Sequence, residues 1–491
     1  MIHDLKTLIL AFHPVISIET VEEQRVTRLV RSVGRELRIP VLEWSSTTGL
    51  VHAGTGNEVA DTTQPVELLS YLSESQIDAI YLLKDFAAYL ETPALQRPFR
   101  DAAQRFARRV SSLILTGPSV TLPVDLEHKA VRFELQLPSR DELDAAIKPV
   151  IQTLCQRQGV QLDLSSEQYA ELLKVLAGMT LNQARQAVAY AGLIDGRLDA
   201  TDLPRLIDRK AETIRDGGPL EFFPALDNRF ELGGFGRLKE WLARAKVGFS
   251  EEARRINLSP PRGALIVGVQ GCGKSLAAKF IAREWQLPLL KLDSGRLFDK
   301  YIGESEKNFN KAIAIAESMA PAVLWVDEIE KAMAPTGGSE GDGGVSRRMF
   351  GSFLTWLQEK DKPVFVVATA NDLSQTPPEL LRKGRFDEIF FVDIPDAASR
   401  AGIFRIHLEL RKQRADDFDL DLLAQATEGF SGAEIEQAVV GGLYRALHQG
   451  HSLDAGYLLR EIQETVPLSV TRREDFEHLR ATARGRFVNA N

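Results

Sequence analysis

Gly268-Val269-Gln270-Gly271-Cys272-Gly273-Lys274-Ser275 has the GxxxxGK[ST] spacing of a loop that cradles a polyphosphate. Its glycines let backbone N–H groups curl around phosphate oxygens, and a helix opening at Lys274 adds positive potential. Lys274 can reach the β- and γ-phosphates, and the Ser275 hydroxyl can ligate Mg²⁺. Further on, the apolar run Val323-Leu324-Trp325-Val326 ends in Asp327-Glu328. Asp327 suits the Mg²⁺ shell, and Glu328 suits orienting and polarising a water. A third apolar run ends in Thr369-Ala370-Asn371. The Asn371 amide could hold that water together with Glu328, although a lone Asn there also makes an ordinary turn. Leu380-Leu381-Arg382-Lys383-Gly384-Arg385 sets two arginines three apart. A planar guanidinium matches the charge that develops on a transferred phosphoryl group. Without the other motifs, that run would read as a solvated face. The ligands expected from these groups are a polyphosphate and Mg²⁺.

Such groups need rigid elements to aim them. Short continuous apolar runs read as buried parallel strands at Ala264–Gly268, Leu289–Leu292, Ala322–Val326, Pro363–Ala368 and Ile389–Val392. Helical stretches from Lys274 to about Trp285 and over Glu304–Met319 alternate with them. This pattern predicts a doubly wound α/β unit. After Pro395 the strands are expected to stop and helices to continue. Asp216-Gly217-Gly218-Pro219 is the strongest punctuation in the chain. The expected divisions are therefore an α/β domain over 1–140, a helical segment over 141–215, a linker over 216–225, an α/β domain with the phosphate-loop sequence over 226–395 and a helical segment over 396–491.

Taken in order, these motifs resemble those of the AAA-type ATPases, from about residue 226 to 487. The resemblance takes in Gly233-Gly234 in the lead-in segment and Pro260-Pro261-Arg262-Gly263 before the first strand. It implies an AAA+ P-loop module, a doubly wound parallel sheet with a helical lid. It also implies that the polyphosphate is ATP, with nucleotide contacts along the phosphate loop to Leu276, and at His407 near the base and ribose. Gly432 and Ala433, within Gly429–Ile435, would open the lid's nucleotide-facing helix. Asn371 would be the sensor, and Arg382 and Arg385 a finger pair reaching a neighbouring subunit. Tyr301-Ile302-Gly303 resembles a central pore loop that grips polypeptide, although an aromatic at a helix start also serves as a packing anchor. The Gly-rich stretch Thr336–Gly344 reads as a mobile loop and would be the second pore loop. Val269-Gln270 and Ser275 replace the family's usual Pro-Pro and Thr.

The first half can be laid against the second. Val15–Glu19, Ile39–Glu43, Ala79–Phe86, Leu113–Pro118 and Phe133–Pro138 fall where the five strands recur, and Gly178–Ala184 echoes Gly429–Ile435. The chemistry does not recur: no glycine loop follows Glu19, Phe86 stands for the glutamate, Pro118 for the asparagine and Glu127-His128-Lys129 for the arginines. Either this is a degenerate copy of the same α/β fold with its own helical tail, or it is an unrelated α/β domain. A degenerate domain ahead of one intact module is similar to the hypothetical chloroplast reading frame AAA proteins of cyanobacteria and algal plastids. That resemblance implies the cytoplasm or the chloroplast stroma, with a client linked to photosynthesis.

The composition restricts the partners. The chain has 491 residues, 44% hydrophobic and 26% charged, with 60 basic against 68 acidic side chains and a net charge of −8. Nucleic acid is therefore not the expected partner. Nor is a membrane: no apolar run reaches the roughly 18 residues needed to cross one, and no secretory signal opens the chain. The two cysteines, Cys155 and Cys272, exclude a disulfide scaffold. Cys272 is either a redox-sensitive thiol at a helix start or a small filler. No zinc-ligand spacing occurs, so no metal beyond nucleotide-bound Mg²⁺ is expected. The expected function is a ring-forming, homo-hexameric ATPase that remodels a protein client. Its rivals are a regulatory ring that does not thread, a nucleic-acid motor and a small-molecule kinase.

Overall fold

The computed structural model describes residues 1–216, 218–224, 231–293, 304–331, 342–371, 378–382 and 384–491. The chain divides into two compact units, one of residues 1–138 with 180–183 and one of 139–179 with 184–491.

The first unit is built on a seven-stranded sheet: β1 (Val15–Glu19), β2 (Val41–Ser45), β3 (Gly49–His52), β4 (Glu58–Val59), β5 (Ile80–Lys84), β6 (Ser112–Gly117) and β7 (Ala130–Arg132). Its order is β4-β3-β2-β5-β6-β1-β7. The run from β2 to β7 is parallel, and β3 and β4 add antiparallel at one edge. Alternation along each strand feeds two cores. Ile16, Ile18, Ile80 and Leu82 pack with Val26, Val30 and Val33 of the helix Glu23–Leu37. Tyr81, Leu83 and Leu113 meet Trp44, Phe86, Phe99 and Phe106 on the opposite face. With helices needed on both sides, the central β5 and β6 are buried almost throughout, while Ser17 and Glu43 interrupt the apolar runs of β1 and β2.

The second unit opens with helices, among which β8 (Gln161–Asp163) and β9 (Arg197–Asp199) form a small parallel pair. Its main sheet contains β10 (Leu220–Phe223), β11 (Gly263–Gly268), β12 (Leu289–Leu292), β13 (Ala322–Val326), β14 (Val364–Ala370), β15 (Glu388–Val392) and β16 (Val488–Asn489). The order is β10-β12-β13-β14-β11-β15-β16. Trp285 of the helix Lys274–Trp285 packs edge-on against Phe365, and Trp241 of the helix Gly236–Ala245 against Phe390, at ring-centroid distances of 4.6 and 5.6 Å. The lid helices bury Phe404, Leu408, Leu423, Ile435, Val439 and Leu458 together.

Numbered within their own halves, the five central parallel strands of both sheets follow one order, second-third-fourth-first-fifth. This shared winding favours two copies of one fold over an unrelated first domain.

Four expectations change. The fifth strand of the first copy is Ala130–Arg132, not Phe133–Pro138. β1 ends at Glu19, the Phe133 N–H still donates to the Ser17 carbonyl at 2.9 Å, and the Gln136 carbonyl is taken by the Arg25 guanidinium instead of a strand. The expected linker 216–225 contains β10, which runs antiparallel to β12. Strands also do not stop at Pro395, because β16 pairs with β15. The helices expected as a tail of the first copy fall, except for 180–183, in the second unit. There Lys210, on the helix Asp202–Asp216, lies 4.9 Å from the Phe222 ring centroid of β10.

Candidate active site

β11 is buried along its whole length and ends at Gly268, so the phosphate-loop sequence emerges at the sheet's carboxyl edge. Gly271 and Gly273 have φ of +80° and +88°, a backbone that side-chain-bearing residues rarely adopt. Gly273 also caps the helix Lys274–Trp285. The chain thereby gains the curl that an anion-binding loop needs. Val269 and Cys272 are buried, while Gln270 and Ser275 are exposed and Leu276 half-buried on the helix's first turn. Burial pushes the Cys272 thiol up to about 12. It is therefore a filler, and the redox reading, which needs an accessible thiolate, falls.

Lys274 is buried, and its ammonium donates to the Gly268 and Val269 carbonyls at 2.8 and 2.7 Å. Burial lowers its pKa to about 8. Phosphate oxygens would offer it acceptors with opposite charge, so the residues fit a nucleoside triphosphate. A pH dependence follows. Below about pH 8 the lysine is already charged before binding. Above it, binding must first return a proton, so ATP affinity should fall by up to about tenfold per pH unit. Titrations from pH 7 to 9.5 check this; a flat profile would show that Lys274 stays charged throughout.

Across the loop, β13 delivers the two carboxylates. Asp327 Oδ1 accepts from Ser275 Oγ at 3.2 Å and from Thr369 Oγ1 at 2.6 Å, and Oδ2 lies 3.6 Å from Lys291 Nζ. The two candidate Mg²⁺ ligands, Ser275 and Asp327, thus stand within hydrogen-bonding reach of each other. Glu328 takes a left-handed backbone, φ +49°. Its Oε1 accepts from Asn371 Nδ2 at 2.9 Å, and its Oε2 pairs with Lys331 Nζ at 2.6 Å. Glu328 and Asn371, which the sequence sets on either side of a candidate water, are thus in direct hydrogen-bond contact. Glu330 is buried, accepts the Asn371 backbone N–H at 2.9 Å and has its pKa raised by burial.

Thr369 and Glu330 escape a motif-based reading. Thr369 is one of seven buried residues of β14, and Glu330 lies on the turn after β13, where no strand period relates it to Glu328.

Arg382 is exposed, while Arg385 donates to the Glu379 carbonyl. Their segment is tied to the start of β11, where Asp387 Oδ2 accepts the Arg262 and Gly263 N–H groups at 2.6 and 2.9 Å. On the lid side, the Ala433 N–H donates to the Gly271 carbonyl at 3.1 Å. Ser431 and Glu434 cap that helix reciprocally. The structure thus brings Gly432 and Ala433 to the phosphate loop. His407 lies one helical turn beyond Ile403, whose backbone and side chain press on Gly233. Its Nδ1 is 3.2 Å from Arg411 Nη1 and 3.7 Å from Glu436 Oε1, and burial lowers its pKa. Tyr301, Ile302, Gly303 and most of the second Gly-rich stretch lie outside the described residues.

The first unit holds the counterpart of this site without its chemistry. Pairing of Glu19 with Gly117 matches that of Val267 with Ala370. Lys84 pairs with Thr116, which sets Lys84 at the place of Asp327 and Asp85, not Phe86, at that of Glu328. Asp85 shares the left-handed turn, φ +54°, and Phe86 is fully buried in the core. Only Val21 and Glu22 separate Thr20 from the helix at Glu23, where the second unit has Val269–Gly273. Arg25 and Glu22 pair at 3.3 Å inside this shortened turn, both buried. Glu22 Oε1 also accepts the Leu181 N–H at 2.8 Å.

Comparisons with known proteins agree with this geometry. The family of ATPases associated with various cellular activities (AAA) matches residues 264–394, and the AAA+ lid domain matches 417–454. The N-terminal and second domains of SpoVK-like AAA ATPases match 1–135 and 141–217. The AAA domain-containing protein ycf46 of Pyropia yezoensis is 35% identical over 99% of both chains. That of Guillardia theta is 34% identical over 97% of this chain and 94% of its own. A cell division cycle protein 48 homolog of Archaeoglobus fulgidus is 32% identical over 59% of this chain and 42% of its own.

Proposed function

Since the chain belongs to the AAA ATPase family, we propose that its ATPase activity works in a homo-hexameric ring that remodels a protein client. The observation that carries the ring is an incomplete site. Lys274, Ser275, Asp327, Glu328 and Asn371 converge within one chain, whereas Arg382 stands exposed and Arg385 faces a local carbonyl. A neighbouring copy would supply the missing positive charge.

In this reading Lys274 and the loop N–H groups hold the β- and γ-phosphates. Ser275 and Asp327 hold Mg²⁺, which neutralises phosphate charge when bound with ATP. Glu328 orients the attacking water, Asn371 steadies Glu328, and the lid at Gly432-Ala433 reports the state of the loop. His407 is proposed to lie near the base. We place the functional domains at 1–140, 141–215, 226–395 and 396–491, with β10 joining the third. No described helix is long and apolar enough to cross a membrane. The algal relatives support a cytoplasmic or stromal location, and a photosynthesis-linked client is proposed with it.

Tyr301→Ala tests threading. Beside the Glu328→Gln trap, which should capture the client in ATP, this variant should keep ATP binding and ring mass while losing client remodelling. Normal remodelling by Tyr301→Ala would favour a regulatory ring that does not thread.

A further inference from the structure

We propose that Thr369 is a positioning residue for hydrolysis, its hydroxyl aiming the Asp327 carboxylate and pinning the backbone of Glu328. The proposal rests on the ATPase reading of the site. Thr369 lies on β14, in the fully buried run Val364–Ala370, and is 1% exposed. A hydroxyl buried among apolar side chains is costly unless it is bonded. This one uses both of its capacities. It donates to Asp327 Oδ1 at 2.6 Å and accepts the Glu328 N–H at 3.0 Å. The Thr369 carbonyl also takes the Ile329 N–H at 2.9 Å. One residue therefore ties three consecutive positions of the turn that presents both carboxylates. Within that turn Glu328 holds a left-handed backbone that a side-chain-bearing residue leaves unless restrained.

The first unit provides the control. Thr116 occupies the equivalent register on β6 and is equally buried. Lys84 stands where Asp327 would be, and the Thr116 hydroxyl has no hydrogen-bond partner among the described residues. The hydroxyl is bonded where Asp327 stands and unbonded where Lys84 takes that place, while Asp85 keeps a carboxylate at the position of Glu328. A role confined to strand packing would be served as well by valine, which is also β-branched.

The test compares Thr369→Val with Thr369→Ser in the full chain. The readouts are steady-state kcat and KM, and binding of a fluorescent ATP analogue with Mg²⁺ titrated in or with chelator present. Valine should lower kcat by about 10–100-fold and raise the Mg²⁺ needed for half-maximal tight binding, as lost outer-shell partners of metal ligands do. Binding in chelator should not change, and serine should recover most of the loss. Valine with wild-type kcat and Mg²⁺ dependence, or serine as impaired as valine, would overturn the proposal. If wild-type protein binds the analogue with Mg²⁺ but turns over no ATP, the ATPase reading fails while the Mg²⁺ titration still judges Thr369. Should the valine variant lose its melting transition, Thr369→Ala carries the same expectation. Unfolding of both would assign Thr369 to the sheet alone.

Discussion

Glu328→Gln is expected to bind ATP at one site per chain and to slow hydrolysis by about 10²–10⁴-fold, the usual contribution of a positioned general base. Glutamine keeps the length of the side chain and an oxygen for the Asn371 amide, now 2.9 Å from Oε1. It loses the charge that polarises the water and the ion pair with Lys331. Binding should survive because Lys274 and the loop are untouched. The stoichiometry of one follows from the first unit, where the turn after Thr20 is shortened and the Glu22–Arg25 pair fills its interior. Calorimetric titration with ATP and a phosphate-release assay read the two effects separately. Turnover at the wild-type rate would remove Glu328 from the role of base, and a stoichiometry near two would return nucleotide binding to the first unit.

Arg382→Ala is expected to cut hydrolysis by about 10³–10⁵-fold, the scale of arginine fingers in GTPases, with ATP binding retained. Arg382 is exposed and so can be removed without opening the core. Arg385→Ala should act in the same direction, but its guanidinium also braces the Glu379 carbonyl, making it the less clean variant. Mixing supplies the decisive measurement. Inactive Arg382→Ala chains and inactive Lys274→Ala chains should together recover activity, one giving the finger and the other the pocket. Rings shown to be mixed yet fully inactive would place the arginines outside a shared site.

The parts of this protein legible in its sequence are those whose physics is local. Strands β11, β13 and β14 appear as unbroken runs because they are covered on both faces, and β12 and β15 as nearly continuous ones, with Lys291 and Glu388 partly exposed. The phosphate loop is legible because only glycine accepts the backbone of Gly271 and Gly273. Asp327 and Glu328 are legible because they break an apolar run. β10 and β16 were not: β10 follows directly on the Asp216–Pro219 break with Glu221 inside it, β16 has two residues, and both are added at the edges of the sheet by pairing with β12 and β15. The one-residue displacement between Phe86 and Asp85 was also hidden, since register is set by pairing with β6 and by the left-handed turn.

By itself, then, the sequence determined the family, an α/β pattern in both halves and the residues that would meet a phosphate, because glycine spacing, apolar runs and isolated carboxylates each act within a few residues of themselves. Tertiary structure alone decided which buried side chains serve the carboxylates. It bonded Thr369 to Asp327 and Glu328, set Glu330 under Asn371 and left the Thr116 hydroxyl without a hydrogen-bond partner among the described residues. The physical reason is that a threonine in a strand has the same propensity wherever it stands, and only the neighbouring strand determines whether its hydroxyl finds a charge to hold.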